Sequence, residues 1–145
     1  MSRWKFGVGV LGLLCLALSG GCPMPGGSDG GMQQGCAADD PRVGRTAVLS
    51  TRAHAVSGTA RIVDNCTLAI DNFSYDGGGP NVRVYLARDT NYAGGISISA
   101  DLSGRPYTNE MLTLPLPNGV SLDDAVRISI WCADFDVNFG DGEFQ

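Results

Sequence analysis

Apolar and polar residues alternate with a period of two along most of the chain after residue 42. Such alternation is typical of strands that bury one face, and no stretch has the three-to-four-residue spacing of a long amphipathic helix. The alternating apolar positions are Val56, Ala60 and Ile62; Cys66, Leu68 and Ile70; Val82, Val84 and Leu86; Ile96 and Ile98; Leu112, Leu114 and Leu116; Val126, Ile128, Ile130 and Cys132; and Phe135, Val137 and Phe139. The pattern predicts an all-β fold over residues 42–145, an antiparallel β-sandwich of about seven to eight short strands.

Turn-forming residues separate these segments. The most pronounced cluster is Tyr75-Asp-Gly-Gly-Gly-Pro80. Three consecutive glycines before a proline favour a loop that needs positive φ angles between two strands, over a loop that binds an anion through its backbone amides.

The first 41 residues have a different composition. Arg3 and Lys5 precede an apolar stretch over residues 6–18, which is too short to cross a hydrocarbon core of about 30 Å. We therefore predict a signal peptide over residues 1–21. Cys22 follows three small residues, as in a bacterial lipobox, and is the predicted site of diacylglycerol and palmitate attachment. The alternative is ordinary signal cleavage, which would leave Cys22 available for a disulfide.

Residues 22–41 are rich in glycine and proline and predict a flexible tether. Two or three acyl chains on Cys22 would hold the folded domain near a bacterial membrane in the cell envelope. In a Gram-negative cell this would be the outer membrane, on its periplasmic or surface side. The lipid anchor is thus the predicted means by which the protein associates with the membrane.

Charge excludes nucleic-acid binding and disfavours binding to a membrane surface through basic residues. The 124 residues after Gly21 carry eight arginines and 15 acidic side chains, a net charge of −7. Nucleic-acid binding needs a dense cationic surface, and so does binding to a membrane surface through basic residues. The chain also has a single histidine, His54, so a metal site built from several histidines is excluded and no metal site is assigned.

Several short segments occur in an order that resembles a known family. They are His54-Ala-Val-Ser-Gly58, Leu68 to Phe73, Tyr75 to Pro80, Tyr85-Leu86, Asn109-Glu110, Leu114-Pro-Leu-Pro117, Ile130-Trp-Cys132 and Val137-Asn-Phe-Gly140. Together they resemble the DM-thirteen domain, a Skeletor-type module also called the electron-transfer DM-thirteen domain, over roughly residues 50–145.

The resemblance implies an all-β, extracytoplasmic domain that takes part in redox or electron-transfer reactions, with a redox partner protein. The cysteine of the Trp-Cys pair, here Cys132, is the implied active group, acting as a thiol or through a bound haem. The chain departs from the family at Asn81, where aspartate is common. That departure weakens any role that needs a carboxylate at this position.

The residues themselves indicate a more inert Cys132. By parity it points into the core with Ile130, where a lone thiol is unreactive. Cys66 is also predicted to face inward, so the two are candidates for a stabilising disulfide. Two alternatives remain: a disulfide that involves Cys36, and a free thiol at Cys132. Cys36, in the tether, is expected to be the unpaired cysteine.

His54 is expected to be a hydrogen-bonded structural residue at a strand start. If haem were bound, His54 would be an axial ligand with Met111 or Cys132 as its partner. Covalent haem is excluded because the chain has no C-x-x-C-H sequence, so the cofactor would be non-covalent. The alternative to a redox function is a non-catalytic binding or structural module of the cell envelope, in which Cys66 and Cys132 form only a stabilising pair. A hydrolase is less favoured, because no nucleophile has a recognisable histidine partner.

Overall fold

A computed structural model of the protein describes residues 35–145. The predicted signal peptide (1–21), the predicted lipidation site Cys22 and the predicted tether as far as residue 34 lie outside these residues. Among the residues that are described, no helix has both the length and the apolar character needed to cross a membrane.

The described residues form nine strands and two short 3₁₀ turns. The strands are β1 (Thr46–Val48), β2 (Ser50–Thr51), β3 (Ser57–Asp64), β4 (Thr67–Tyr75), β5 (Val82–Ala87), β6 (Ile96–Ser97), β7 (Tyr107–Pro115), β8 (Arg127–Cys132) and β9 (Val137–Glu143). The 3₁₀ turns are Tyr92–Gly94 and Leu122–Asp124. The two strands beyond the predicted set, β1 and β2, have three and two residues, and such short strands leave no alternation to detect.

Two antiparallel sheets pack face to face. One has the order β1-β3-β4-β7, and the other has the order β2-β9-β8-β5-β6. The predicted all-β antiparallel sandwich is therefore confirmed. Consecutive strands pair as hairpins in both sheets, β3 with β4 and β8 with β9, and such pairs need only short turns.

The core lies between the sheets and consists of the inward positions of each strand. Those from the central strands are at most 1% exposed: Ala60 and Ile62, Leu68 and Ile70, Val82, Val84 and Leu86, and Ile128, Ile130 and Cys132. Burial of each large apolar side chain is worth about 1.5–3 kcal/mol, so this shared face fixes the register of the central strands.

The outer face of the five-stranded sheet is also covered. Trp131 points away from the core yet is only 8% exposed, because the ring of Tyr92 packs 5.9 Å from it between centroids. The Tyr92 hydroxyl donates a hydrogen bond of 2.9 Å to Asp141, a carboxylate that is 3% exposed. The 3₁₀ turn that carries Tyr92 thus closes a second, smaller apolar cluster with Trp131 and Ala87.

Candidate functional site

Cys132 is the last residue of β8 and is completely buried. Its side chain lies in the core with Ile128 and Ile130, as parity predicted. The thiol donates a hydrogen bond of 3.1 Å to the carbonyl oxygen of Pro80. Among the described cysteines it is the free one, so the structure holds it as a thiol enclosed by protein.

The expected Cys66–Cys132 disulfide is wrong. Cys66 is bonded to Cys36, with a Cα–Cα distance of 5.3 Å that suits a disulfide. The expectation that Cys36 would be the unpaired cysteine is wrong for the same reason. The alternative that a bridge involves Cys36 is the one that the structure contains.

The error arises from extending the alternation of β4 one residue too far. Cys66 lies in the turn between β3 and β4, before β4 begins at Thr67. Strand parity does not apply in a turn, so Cys66 is half-buried at the end of the sandwich and does not face the core. Its partner Cys36 reaches that turn from the segment that precedes β1.

A glycine-rich loop, residues 75–80, contacts the thiol of Cys132 through the carbonyl oxygen of Pro80. Gly77 and Gly79 have φ angles of +81° and +90°, which confirms the predicted positive-φ loop. A Cβ atom at Gly77 would collide with the carbonyl group of Arg105. The loop is held by hydrogen bonds from the Tyr75 hydroxyl to the Gly78 carbonyl oxygen and from the Gly78 amide to Asp76.

His54 contacts the same loop. It lies in a turn before β3 with a φ angle of 53°, and its Nδ1 atom lies 3.0 Å from Asp76 Oδ1. Its ring packs against Phe139 with a centroid distance of 4.2 Å. The hydrogen bond from the Gly78 amide lowers the pKa of Asp76, and the contact with His54 lowers it further. His54 is therefore a hydrogen-bonded residue, with about a third of its side chain exposed.

Aromatic side chains surround the inner end of the loop. Tyr75 stacks on Tyr107 with a centroid distance of 6.1 Å, and the Arg105 guanidinium lies 3.7 Å above the Tyr107 ring. Burial, with smaller contributions from Asp76, Asp101 and Cys132, raises the pKa of Tyr75 to about 12. The Tyr75 hydroxyl thus stays protonated at neutral pH and acts as a hydrogen-bond donor to the loop.

The surroundings of Cys132 do not fit a haem. An axial thiolate must direct its lone pair into a cavity that holds the porphyrin. The sulfur of Cys132 is instead packed in the core, where it is hydrogen-bonded to the Pro80 carbonyl oxygen. Met111, the other residue considered as an axial partner, is 67% exposed.

Asn81 has a structural reason to differ from aspartate. Its Nδ2 atom donates a hydrogen bond of 2.8 Å to Asp134, and its Oδ1 atom accepts one of 2.9 Å from Arg83. A carboxylate at residue 81 would face that of Asp134 and lose the donor. Asparagine also tolerates the φ angle of 50° found here.

The buried carboxylate of Asp141 was missed by sequence reasoning. Although burial opposes it, hydrogen bonds from Arg52, Tyr92 and Arg127 hold the pKa of Asp141 well below its usual value. The distances to Arg52 and Arg127 are 2.6 Å and 3.2 Å. The one available signal was a charged residue between two glycines, Gly140-Asp-Gly142.

Residues 48–144 match the family described as electron transfer DM13, a segment that includes β2 to β9, the loop 75–80 and Cys132. The chain belongs to the electron transfer DM13 family. This confirms the resemblance inferred from the ordered motifs. Membership applies to the domain and does not by itself assign a role to any residue of this chain.

Relatives of this DM13 domain occur in Drosophila melanogaster. The chain is 39% identical over 101 residues to Protein Skeletor, isoforms B/C, and to Protein Skeletor, isoforms D/E. The matched segment is 64% of this chain but only 13% and 7% of those two proteins. No solved structure has significant similarity to the chain.

Proposed function

We propose that the protein is a lipid-anchored cell-envelope protein whose DM13 domain takes part in redox reactions through Cys132. The redox part is supported by the family, which is described as electron transfer DM13. The anchor is supported by the sequence, in which small residues and Cys22 follow a short apolar stretch. A redox partner protein in the envelope completes the proposal.

The position of Cys132 beneath the loop is the observation that carries the assignment to this residue. Pro80, whose carbonyl oxygen accepts the thiol hydrogen bond, is itself exposed. The sulfur thus contacts an exposed residue of the loop, and the three residues before it, 77–79, are glycines without side chains. For Cys132 to react by contact this loop must open, and the bonds made by Tyr75 and Asp76 set how often it does.

The complete burial of Cys132 favours a second candidate, a non-catalytic binding or structural module. Buried thiols in apolar surroundings are inert unless something exposes them. In this candidate the stabilising disulfide is Cys36–Cys66, and Cys132 serves only to fill the core.

Reversible modification of Cys132 distinguishes the two candidates. The full chain is incubated, folded and without other reductant, in glutathione buffers of graded redox ratio, and Cys132 is followed by peptide mass spectrometry. The proposal predicts a mixed disulfide between Cys132 and glutathione that forms and reverses with the ratio. If Cys132 stays unmodified until the protein unfolds, the non-catalytic module is the better conclusion.

Tyr75→Phe tests whether the loop is the gate. Loss of one hydrogen bond, worth about 0.5–1.5 kcal/mol, should raise the rate of Cys132 modification about 2- to 10-fold. Tyr85→Phe is the matched control, since Tyr85 packs with the outer-face cluster. Equal effects of the two substitutions would contradict the gate.

The anchor is tested separately with Cys22→Ala. This substitution should move the protein from the membrane fraction to the soluble fraction and remove the mass of the lipid. A protein that stays bound to the membrane, with a mass altered only by the substitution, would contradict lipidation of Cys22.

A further inference from the structure

The disulfide lies beside a carboxylate in the turn between β3 and β4. Asp64 is the last residue of β3, and its Oδ1 atom accepts a hydrogen bond of 2.8 Å from the Cys66 amide. The two cysteine sulfurs and a carboxylate oxygen of Asp64 all lie within 4.8 Å of one another. Two sulfurs and one carboxylate oxygen form a donor set that suits zinc and similar thiophilic cations.

We propose that Cys36, Cys66 and Asp64 form a redox-gated metal site: a disulfide when oxidised, and a binding site for a thiophilic divalent cation of the zinc class when reduced. The site shares no residue with the loop over Cys132, so it goes beyond the function proposed above.

The segment that carries Cys36 is held to the turn by bonds that do not involve sulfur. The Asn65 amide donates a hydrogen bond of 2.9 Å to the Ala37 carbonyl oxygen. The Ala37 amide donates one of 2.7 Å to Asn65 Oδ1. These two bonds keep residue 36 beside residue 66 after the disulfide is reduced, so the two thiols stay close enough to bind one ion.

The distances suit a tetrahedral ion after a small movement. With zinc–sulfur bonds of about 2.3 Å, two thiolates of a tetrahedral site lie about 3.8 Å apart. Breaking the disulfide frees the sulfurs to separate to that distance, while the carboxylate of Asp64 is already within reach. Cys36 is exposed, so the fourth position faces solvent and would hold water.

Charge favours a cation in the reduced site. Two thiolates beside the carboxylate of Asp64 would place three negative charges together, which repel one another without a cation. A divalent ion offsets two of these charges. The carboxylate therefore disfavours a reactive free thiolate and favours a metal-bound one.

The chemistry balances with a dithiol as the reductant. A dithiol protein or small dithiol transfers two electrons and two protons to the Cys36–Cys66 bond and becomes a disulfide itself. Both sulfurs are then thiols. The divalent ion displaces the two thiol protons to solvent and forms two metal–sulfur bonds and one bond to Asp64.

Cobalt(II) absorption tests the proposal directly. The full chain is reduced with a phosphine and titrated with cobalt(II), which gives a thiolate-to-metal charge-transfer band and the visible bands of a tetrahedral ion. We expect these bands at one cobalt per chain in the reduced protein and none in the oxidised protein. Cys36→Ser should abolish them, and Cys132→Ala should leave them unchanged.

Asp64→Asn tests the third ligand. Asparagine keeps the oxygen that accepts the Cys66 amide hydrogen bond but removes the carboxylate, so cobalt affinity should fall at least about tenfold. Asp39→Asn, which changes an exposed carboxylate outside the cluster, is the matched control and should bind like the wild type. Circular dichroism checks that each variant is folded.

Three results would overturn the site. They are the absence of thiolate–cobalt bands in the reduced wild type, bands that persist in Cys36→Ser, and unchanged affinity in Asp64→Asn. None of these readouts depends on Cys132 or on a redox partner. The metal site and the proposed function can therefore fail independently.

Discussion

The Cys36–Cys66 disulfide should contribute a large part of the stability of the domain. It joins residues 30 apart in the sequence. Closing a loop of that length in the unfolded chain lowers its entropy by an amount equivalent to about 3–4 kcal/mol at 25 °C. Residual structure in the unfolded state would reduce the measured value. Because small domains are stable by only about 5–15 kcal/mol, we expect Cys36→Ser to lower the unfolding midpoint markedly.

Urea denaturation of the full chain measures this effect. Cys36 is exposed, so its replacement by serine removes the bridge without opening a cavity in the core. The free energy of unfolding of Cys36→Ser should fall by about 3 kcal/mol and should no longer respond to a reductant. The wild type, once reduced, should unfold at nearly the same midpoint as the variant.

Cys132→Ala is the control for a general effect of losing a cysteine. It should destabilise the domain through the cavity it leaves, yet keep its sensitivity to reductant, because the bridge is intact. Peptide mapping with one alkylating tag before reduction and another after it identifies the bonded pair. A loss of less than about 1 kcal/mol in Cys36→Ser, or a mapped Cys66–Cys132 peptide, would refute the reasoning.

Two further perturbations test other parts of the structure. The lowered pKa of Asp141 means that its carboxylate stabilises the fold fully above the ordinary aspartate pKa, and that this contribution is lost progressively as the pH falls from that value through the lower pKa of the folded state. Asp141→Asn should cost about 3 kcal/mol at pH 7 and about 1 kcal/mol less near pH 3, measured by urea unfolding at both values, and an equal cost at both would contradict the pairing with Arg52 and Arg127. Gly77→Ala should cost about 1–3 kcal/mol more than Gly104→Ala, because both residues have positive φ but only the first would collide with Arg105. Thermal unfolding of the two variants side by side measures this difference, and equal costs would show that the loop yields freely.

Strand positions are predictable because they depend on local alternation. The alternation in β8 is sufficient to place Ile128, Ile130 and Cys132 on one face of the strand. In the structure that face packs in the core. The glycines of the loop 75–80 are likewise predictable, since only glycine adopts the required φ angles at little cost. Each of these features is specified by residues that are neighbours in the sequence.

Pairings between distant residues are not predictable in the same way. Parity places Cys66 in the core, but β4 begins at Thr67, one residue later than the alternation implies, so Cys66 lies in the preceding turn. Whether Trp131 is covered depends on Tyr92, which comes from a 3₁₀ turn in another part of the chain. The partners of Asp141, Arg52 and Arg127, reach it from two different segments.

The sequence by itself therefore determined the all-β class, the strands that form the core and the family motifs, because burial of one strand face leaves a period-two record in the chain. Only the tertiary structure decided which cysteine bonds to Cys66, what lies over Cys132 and how Asp141 is neutralised. Those features depend on which segments meet after the sheets stack. No local sequence pattern predicts these contacts, because each residue could pair with several others. The whole fold decides which of them comes within bonding distance.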